Sequence, residues 1–167
     1  QADEIVSVAR DTRRLLVTNL MQRYNPLFAQ IKALVDSKLL GDVLRGTFEN
    51  YACDEGLEPD HWFWDRTKSG GIFIEHGVHF FDLFAGWLGG GTVESAGRVL
   101  RPGSGFEEQV YCTARYGDVP VTFYHGFTQA GRMDRQELRL LFERGDVTLR
   151  EWIPTQAVVR TALDEGA

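Results

Sequence analysis

The sequence predicts an α+β domain: a largely antiparallel sheet with helices packed on one face. Three observations carry that reading. Apolar residues at helical spacing are confined to the first half of the chain. The second half is a succession of short alternating segments rich in β-favouring residues. Gly117-Asp118 and Arg144-Gly145-Asp146 are hairpin turn signals, and turns this short impose antiparallel pairing.

Residues 2–13 read as a helix, with Ile5, Val6 and Ala9 at helical spacing. Residues 15–20 (LLVTNL) form a short apolar run that predicts a buried strand. A helix followed closely by a buried strand reads as the tail of a parallel α/β domain whose earlier part is absent from this sequence. Pro26 is placed to open the next helix. Phe28, Ile31, Leu34 and Val35 give that helix its apolar stripe, and Gly41 stands where its C-terminus is expected. Residues 43–51 predict a strand. Residues 54–69 form a polar connection that contains Pro59 and the cluster His61, Trp62, Phe63 and Trp64, and connections of this length are often functional. A helix is expected over 72–88, stopped by Gly89-Gly90-Gly91. Further strands are expected at 93–100, 109–116, 119–128, 137–142 and 147–152.

The bulk numbers narrow the function. The chain has 167 residues, 43% hydrophobic and 25% charged, which is a globular profile with enough length for one core. A net charge of −6 argues against a nucleic-acid partner, since phosphate binding requires surplus Lys and Arg. No apolar run approaches the roughly 20 residues of a membrane span, and Gln1 opens an acidic segment without the features of a signal peptide. Cys53 and Cys112 stand in no metal-binding spacing and are expected to be reduced thiols of a cytoplasmic protein.

The segment 70–84 carries the chemistry. Most of its residues are large and apolar, so the helix should be buried nearly all round. Glu75, His79 and Asp82 interrupt that pattern and fall within roughly 60° of one another on an α-helical wheel. Gly71 and Gly86 share the strip and leave room for something to approach. Glu75 and His79 are i,i+4 neighbours. A carboxylate beside an imidazole suits a general acid/base. The same pair can equally be a buried couple that only satisfies itself. With a third ligand such as His125 it becomes a metal site. His76 lies off the stripe and is assigned no role.

These residues also carry a resemblance. Gly70-Gly71, Glu75, Gly77, His79 and Asp82 resemble the GG-x-x-x-[D/E]-x-G-x-H-x-x-D helix of the glucose–fructose oxidoreductase and inositol dehydrogenase (Gfo/Idh/MocA-type) family. Residues 21–26 (MQRYNP) are similar to the family's motif after the last strand of its nucleotide domain. Residues 38–43 (KLLGDV) resemble its helix-to-strand step, and Trp64-Asp65-Arg66 its W-x-R. Order and spacing agree across roughly 2–152.

The resemblance implies an N-terminal Rossmann domain, a C-terminal domain whose sheet forms a dimer interface, and hydride transfer between NAD or NADP and a carbinol carbon of a sugar, polyol or related alcohol. It implies that His79 donates or accepts the substrate proton and that Glu75 supports it or contacts substrate. Asp is the common residue at the Glu75 position, and the extra methylene moves the carboxylate by roughly 1.5 Å. Neither a G-x-G-x-x-G between strand and helix nor the family's E-K-P is present in the sequence. Residues 1–20 are therefore expected to be the remnant of a truncated Rossmann domain, and 21–167 a C-terminal substrate-binding and dimerisation domain, inactive and without cofactor when alone. The alternative function is a non-catalytic dimerisation or ligand-sensing module of the same fold.

Other residues carry paired readings. Arg23 and Tyr24 sit at the domain junction, as a ligand contact or as a hinge contact. Trp62, Trp64 and Arg66 can wall a sugar site or anchor a long loop. His125 is expected to be a satisfied core histidine. Tyr111, Thr113, Arg115, Thr122, Tyr124 and Thr128 alternate with core positions and should line the outer sheet face. That face is either solvated or paired with a second copy.

Overall fold

Alternation in the second half of the chain builds a single seven-stranded sheet. In the computed structural model, which describes residues 2–162, its strands are β1 (Val43–Cys53), β2 (Gly91–Leu100), β3 (Glu107–Tyr116), β4 (Val119–Gln129), β5 (Arg135–Phe142), β6 (Gly145–Arg150) and β7 (Ala157–Thr161). Gln1 and 163–167, the outer ends of the two expected segments, lie outside the described residues. The strand order is β2-β3-β4-β1-β5-β6-β7. All neighbours are antiparallel except the central pair β1 and β4. The helices are α1 (Ala2–Asp11), α2 (Pro26–Ser37), the short α3 (Arg66–Ser69) and α4 (Val78–Leu88), the last entered through a π-helical turn at Phe73–Gly77.

α2 and α4 cover one face of the sheet. Asn25 caps α2 by accepting the Leu27 N–H at 2.9 Å, and Pro26 pre-sets its first turn. The helix closes on Lys38, which adopts the left-handed conformation (φ 53°). Gly41, expected to supply that cap, instead turns the chain into β1 with φ 83°. The core lies between these helices and the inward residues of the sheet: Phe48, Val121, Phe123, Leu140, Phe142 and Val147 against Ile31, Phe80, Phe84 and Trp87, all buried. Each contributes about 1.5–3 kcal/mol of burial. Gly46 allows α4 to sit this close, because a Cβ there would stand 2.5 Å from the Phe84 ring. A second cluster, built on Phe63, Trp64, Ile72 and Phe127, seals the connection that follows β1. The outer face carries the residues expected of it, with Tyr111, Arg115 and Thr128 exposed and Thr113, Thr122 and Tyr124 half-buried.

Two expectations are corrected. Residues 15–20 form no strand, and Leu15, Leu16 and Val17 are 91%, 53% and 65% exposed. A strand needs a neighbour for its N–H and C=O groups, and none runs beside this segment among the described residues. α1 likewise buries none of its side chains. The strand expected over 147–152 ends at Arg150, because Glu151 turns the chain with φ 75° and carries Trp152 out of the sheet. β7 has no counterpart in the sequence reading. Both thiols are free: Cys112 is buried in β3, and Cys53 is half-buried at the end of β1. Among the described residues no helix is long and apolar enough to cross a membrane.

Candidate active site

The junction segment is a 3-10 turn, Met21–Tyr24, and its polar side chains clamp it to the domain. Buried Gln22 donates through Nε2 to the Trp152 carbonyl at 2.7 Å, and Asn25 Nδ2 donates to the Pro154 carbonyl at 2.8 Å. Arg23 takes Asp82 in a two-point grip, Nε to Oδ2 at 2.5 Å and Nη2 to Oδ1 at 2.6 Å, and also donates to the Asp82 carbonyl at 3.0 Å. That carboxylate raises the guanidinium pKa. Arg23, read as a ligand or a hinge contact, and Asp82 of the polar stripe, a candidate substrate contact, thus hold each other. Gly86 makes room for this junction: a Cβ there would lie 2.7 Å from the Phe28 ring and 3.2 Å from Arg23 Cζ. At Gly71 a Cβ would stand 2.6 Å from Glu107 Oε2. What approaches the small residues of the strip is therefore the chain itself. Tyr24 points away from the clamp and is 80% exposed.

Glu75 and His76 lie within the π turn, and His79 follows in the first turn of α4. A π turn inserts a residue relative to an α-helix and shifts the i,i+4 register; such bulges concentrate at functional sites. Accordingly no hydrogen bond or ion pair joins Glu75 to His79. The Glu75 carboxyl is half-buried, and burial pushes its pKa up against the opposing influence of His79 and His61. His79 is half-buried, its Nδ1 sealed without a partner and its ring edge-on to Trp152 at 5.6 Å. The self-satisfied couple is not formed. Among the described residues, no three His, Cys, Asp or Glu side chains converge as a metal site requires.

His125 and His76 depart furthest from expectation. His125 is fully buried on β4, but only half satisfied: its Nδ1 lies 3.2 Å from His76 Nδ1, and its Nε2 has no partner. Burial lowers the His125 pKa well below the usual imidazole value and brings His76 down to about 4. Trp152 lies over His76 with 4.4 Å between ring centroids. Gly77 spares a clash within the turn, since a Cβ there would stand 2.8 Å from the Phe73 ring. Sequence reasoning passed over His76 and Trp152. The alternation of β4, which turns His125 inward with Phe123 and Phe127, was the available signal for a polar partner on the covering helix.

Trp64 and Arg66 gather elsewhere. Trp64 is buried, stacks on Phe106 at 5.2 Å, lies 5.1 Å from the Arg101 guanidinium and donates through Nε1 to the Leu57 carbonyl at 3.2 Å. Arg66 reaches Glu107 at 3.4 Å, beside Arg98 at 3.1 Å. With Ser69, Ile72 and Phe106 they enclose a cavity of about 60 Å³ that touches neither Glu75 nor His79. Trp62, in contrast, is 47% exposed.

A dinucleotide finds no seat at the glycine run 89–91 or at the N-terminus of α2. Its pyrophosphate needs backbone N–H groups at a helix N-terminus. The glycine run 89–91 instead follows the C-terminus of α4, where the helix dipole repels anions. The α2 N-terminus is closed by Asn25 and Pro26.

Comparison with known proteins agrees with this geometry. The sequence profile described as the GFO/IDH/MocA C-terminal domain matches residues 28–148. A scyllo-inositol 2-dehydrogenase (NAD(+)) of Bacillus subtilis is 29% identical over 112 residues, which is 66% of this chain and 29% of that protein. The WlbA dehydrogenase of Bordetella pertussis, solved with NADH and UDP-GlcNAcA, superposes with a TM-score of 0.80 at 15% identity, covering 98% of this chain and 49% of that one. An inositol dehydrogenase homologue of Azotobacter vinelandii, solved with NAD+, gives 0.79 at 18% identity, covering 99% and 45%. The chain spans no more than about half the length of these relatives. With the profile match extending from α2 through β6, the chain belongs to the GFO/IDH/MocA C-terminal domain family.

Proposed function

We propose that this chain is the substrate-binding half of an NAD(P)-dependent oxidoreductase acting on a sugar, polyol or related alcohol. The observation that carries the reading is on the site helix, where the His79 imidazole stands without a partner on Nδ1 beside Trp152 and the half-buried Glu75 carboxyl, which feels the His79 charge, makes no hydrogen bond among the described residues. In this scheme a separate Rossmann domain would hold the nicotinamide, which would supply hydride exchange at the carbinol carbon. His79 takes the hydroxyl proton on oxidation and returns it on reduction. Glu75, its pKa raised by burial, supports the charge that His79 acquires. Tyr24 lines the junction side of the substrate face, and Trp64 and Arg66 stiffen the loop that bounds it.

In the two-domain enzyme, His79→Ala should lower turnover by about 10²–10⁴-fold while leaving NAD(P) affinity unchanged. Intact turnover would remove His79 from the chemistry. The chain alone should show no NAD(P) binding by calorimetry.

The outer sheet face supports a homodimer as part of the same proposal. Tyr111, Thr113, Thr122 and Tyr124 border an open groove of about 220 Å³ on that face. Arg substituted at Tyr111 should yield monomers in sedimentation. Residues 2–20 belong, in this reading, to the nucleotide-binding side of the junction. A reducing cytoplasmic compartment suits the two free thiols.

A further inference from the structure

Among the described residues, three buried side-chain atoms have no hydrogen-bond partner: Asn50 Nδ2, His79 Nδ1 and His125 Nε2. His125 and His79 lie beside His76 or its neighbour Trp152, and Asn50 sits next to His125 in the sheet. Asn50 and His125 are register partners on β1 and β4, His125 meets His76 directly, and Trp152 touches both His76 and His79. Such a gathering in an otherwise apolar core requires a reason.

Hydrogen-bond arithmetic gives one. Two neutral imidazoles whose Nδ1 atoms are 3.2 Å apart can bond only if one donates and the other accepts. If His125 accepted, its proton would sit on the sealed Nε2, leaving an orphaned N–H, the costlier and rarer defect. His125 therefore donates from Nδ1, and its bare Nε2 is the lesser loss. His76 Nδ1 is then the acceptor, and the His76 proton must sit on Nε2. That nitrogen makes no hydrogen bond among the described residues and, unlike the three orphans, is not sealed. The same reasoning applies to His79. Its sealed Nδ1 is best left bare, which places its proton on Nε2 as well. Residues 76 and 79 are three apart along one helical run, and both rings rest on Trp152.

We infer that His76 is a second substrate-contacting residue, a neutral imidazole whose tautomer is fixed by His125 and whose Nε2–H binds a second oxygen of the substrate beside the reacting one. This rests on the proposed function. The ligand class it selects is a ring bearing a further hydroxyl next to the carbinol, in preference to an isolated alcohol. Burial keeps His76 uncharged at neutral pH, so it recognises a hydroxyl without competing for the proton that His79 handles.

The first test needs only the chain. Two-bond proton–nitrogen spectra of its imidazoles should show His76 in the Nε2–H form and His125 in the Nδ1–H form at neutral pH; the reverse assignment overturns the inference. The second uses the two-domain enzyme with cis-1,2-cyclohexanediol and cyclohexanol as probes. His76→Phe should raise KM for the diol about tenfold with little change in kcat, and leave cyclohexanol unaffected. His76→Gln places an N–H donor near the lost one and should restore KM. Turnover of the diol with a KM that His76→Phe leaves unchanged overturns this inference and spares the proposed function. An enzyme that oxidises no sugar, polyol or related alcohol overturns both. Loss of folding in His76→Phe would show as a changed circular dichroism spectrum, and the glutamine variant then decides.

Discussion

The two ends of the site helix handle polar groups in opposite ways. At Asp82, both carboxylate oxygens and the main-chain carbonyl receive hydrogen bonds from Arg23. Around His76 and His79, a buried network leaves three atoms unpaired. One end is a fastening: it closes on itself and joins the junction segment to the domain. The other remains open toward whatever the site receives. The sequence stripe that contains Glu75, His79 and Asp82 is thus two devices rather than one.

Acid should separate the two ends most strongly. In the unfolded chain His76 charges near pH 6.5, whereas in the fold it remains neutral until about pH 4. Between those values the unfolded state binds more protons, so stability is complete above pH 6.5 and declines as pH falls toward 4. The loss is on the order of 3 kcal/mol, with His125 acting in the same direction. Glu75 works oppositely, since its raised pKa favours the fold as pH falls. The decisive measurement is therefore the difference in urea midpoint between wild type and a histidine variant across this range. A difference that does not change with pH would mean that the pair is not held neutral.

Breaking the fastening should cost less. Asp82→Ala removes the grip on Arg23, whose side chain is 41% exposed and regains water, so a loss of about 1–2 kcal/mol is expected in denaturant melts. A change below a few tenths would mean that the clamp contributes nothing. Smallest of all should be the double change His76→Phe with His125→Leu. Replacing both partners of an incompletely satisfied buried pair with apolar groups is close to neutral, so stability at pH 7 should remain within about 1 kcal/mol of wild type. The acid sensitivity described above should vanish in the same variant.

The fold was largely legible because alternation and helical spacing are direct consequences of burial on one side. β1, β3, β4 and β5 show it, and Phe48, Val121 and Leu140 fall where the pattern places them. β7 was not legible: four of its five residues are exposed, so no alternation marks it. The run 15–20 misled for the converse reason, since its apolar residues are left uncovered among the described residues. Within the site, Glu75, His79 and Asp82 stood out as polar residues on an apolar helix. His76 did not, because the wheel assumed 100° per residue and the π turn does not obey it. Trp152 was hidden by Glu151, whose positive φ ends the strand sooner than its composition indicates.

The central position of β1 has a consequence for how the protein is made. Gly46 pairs with Val121 on one side and Leu140 on the other, so β1, the first strand of this sheet in chain order, waits for partners some 75 and 94 residues downstream. Parallel and long-range pairing is slow to form. Until β4 has left the ribosome, the Phe48 side of β1 has no neighbouring strand, and its other edge waits for β5. Throughout synthesis the nascent chain carries its stickiest surfaces uncovered, and its yield in a cell depends on how well that interval is protected.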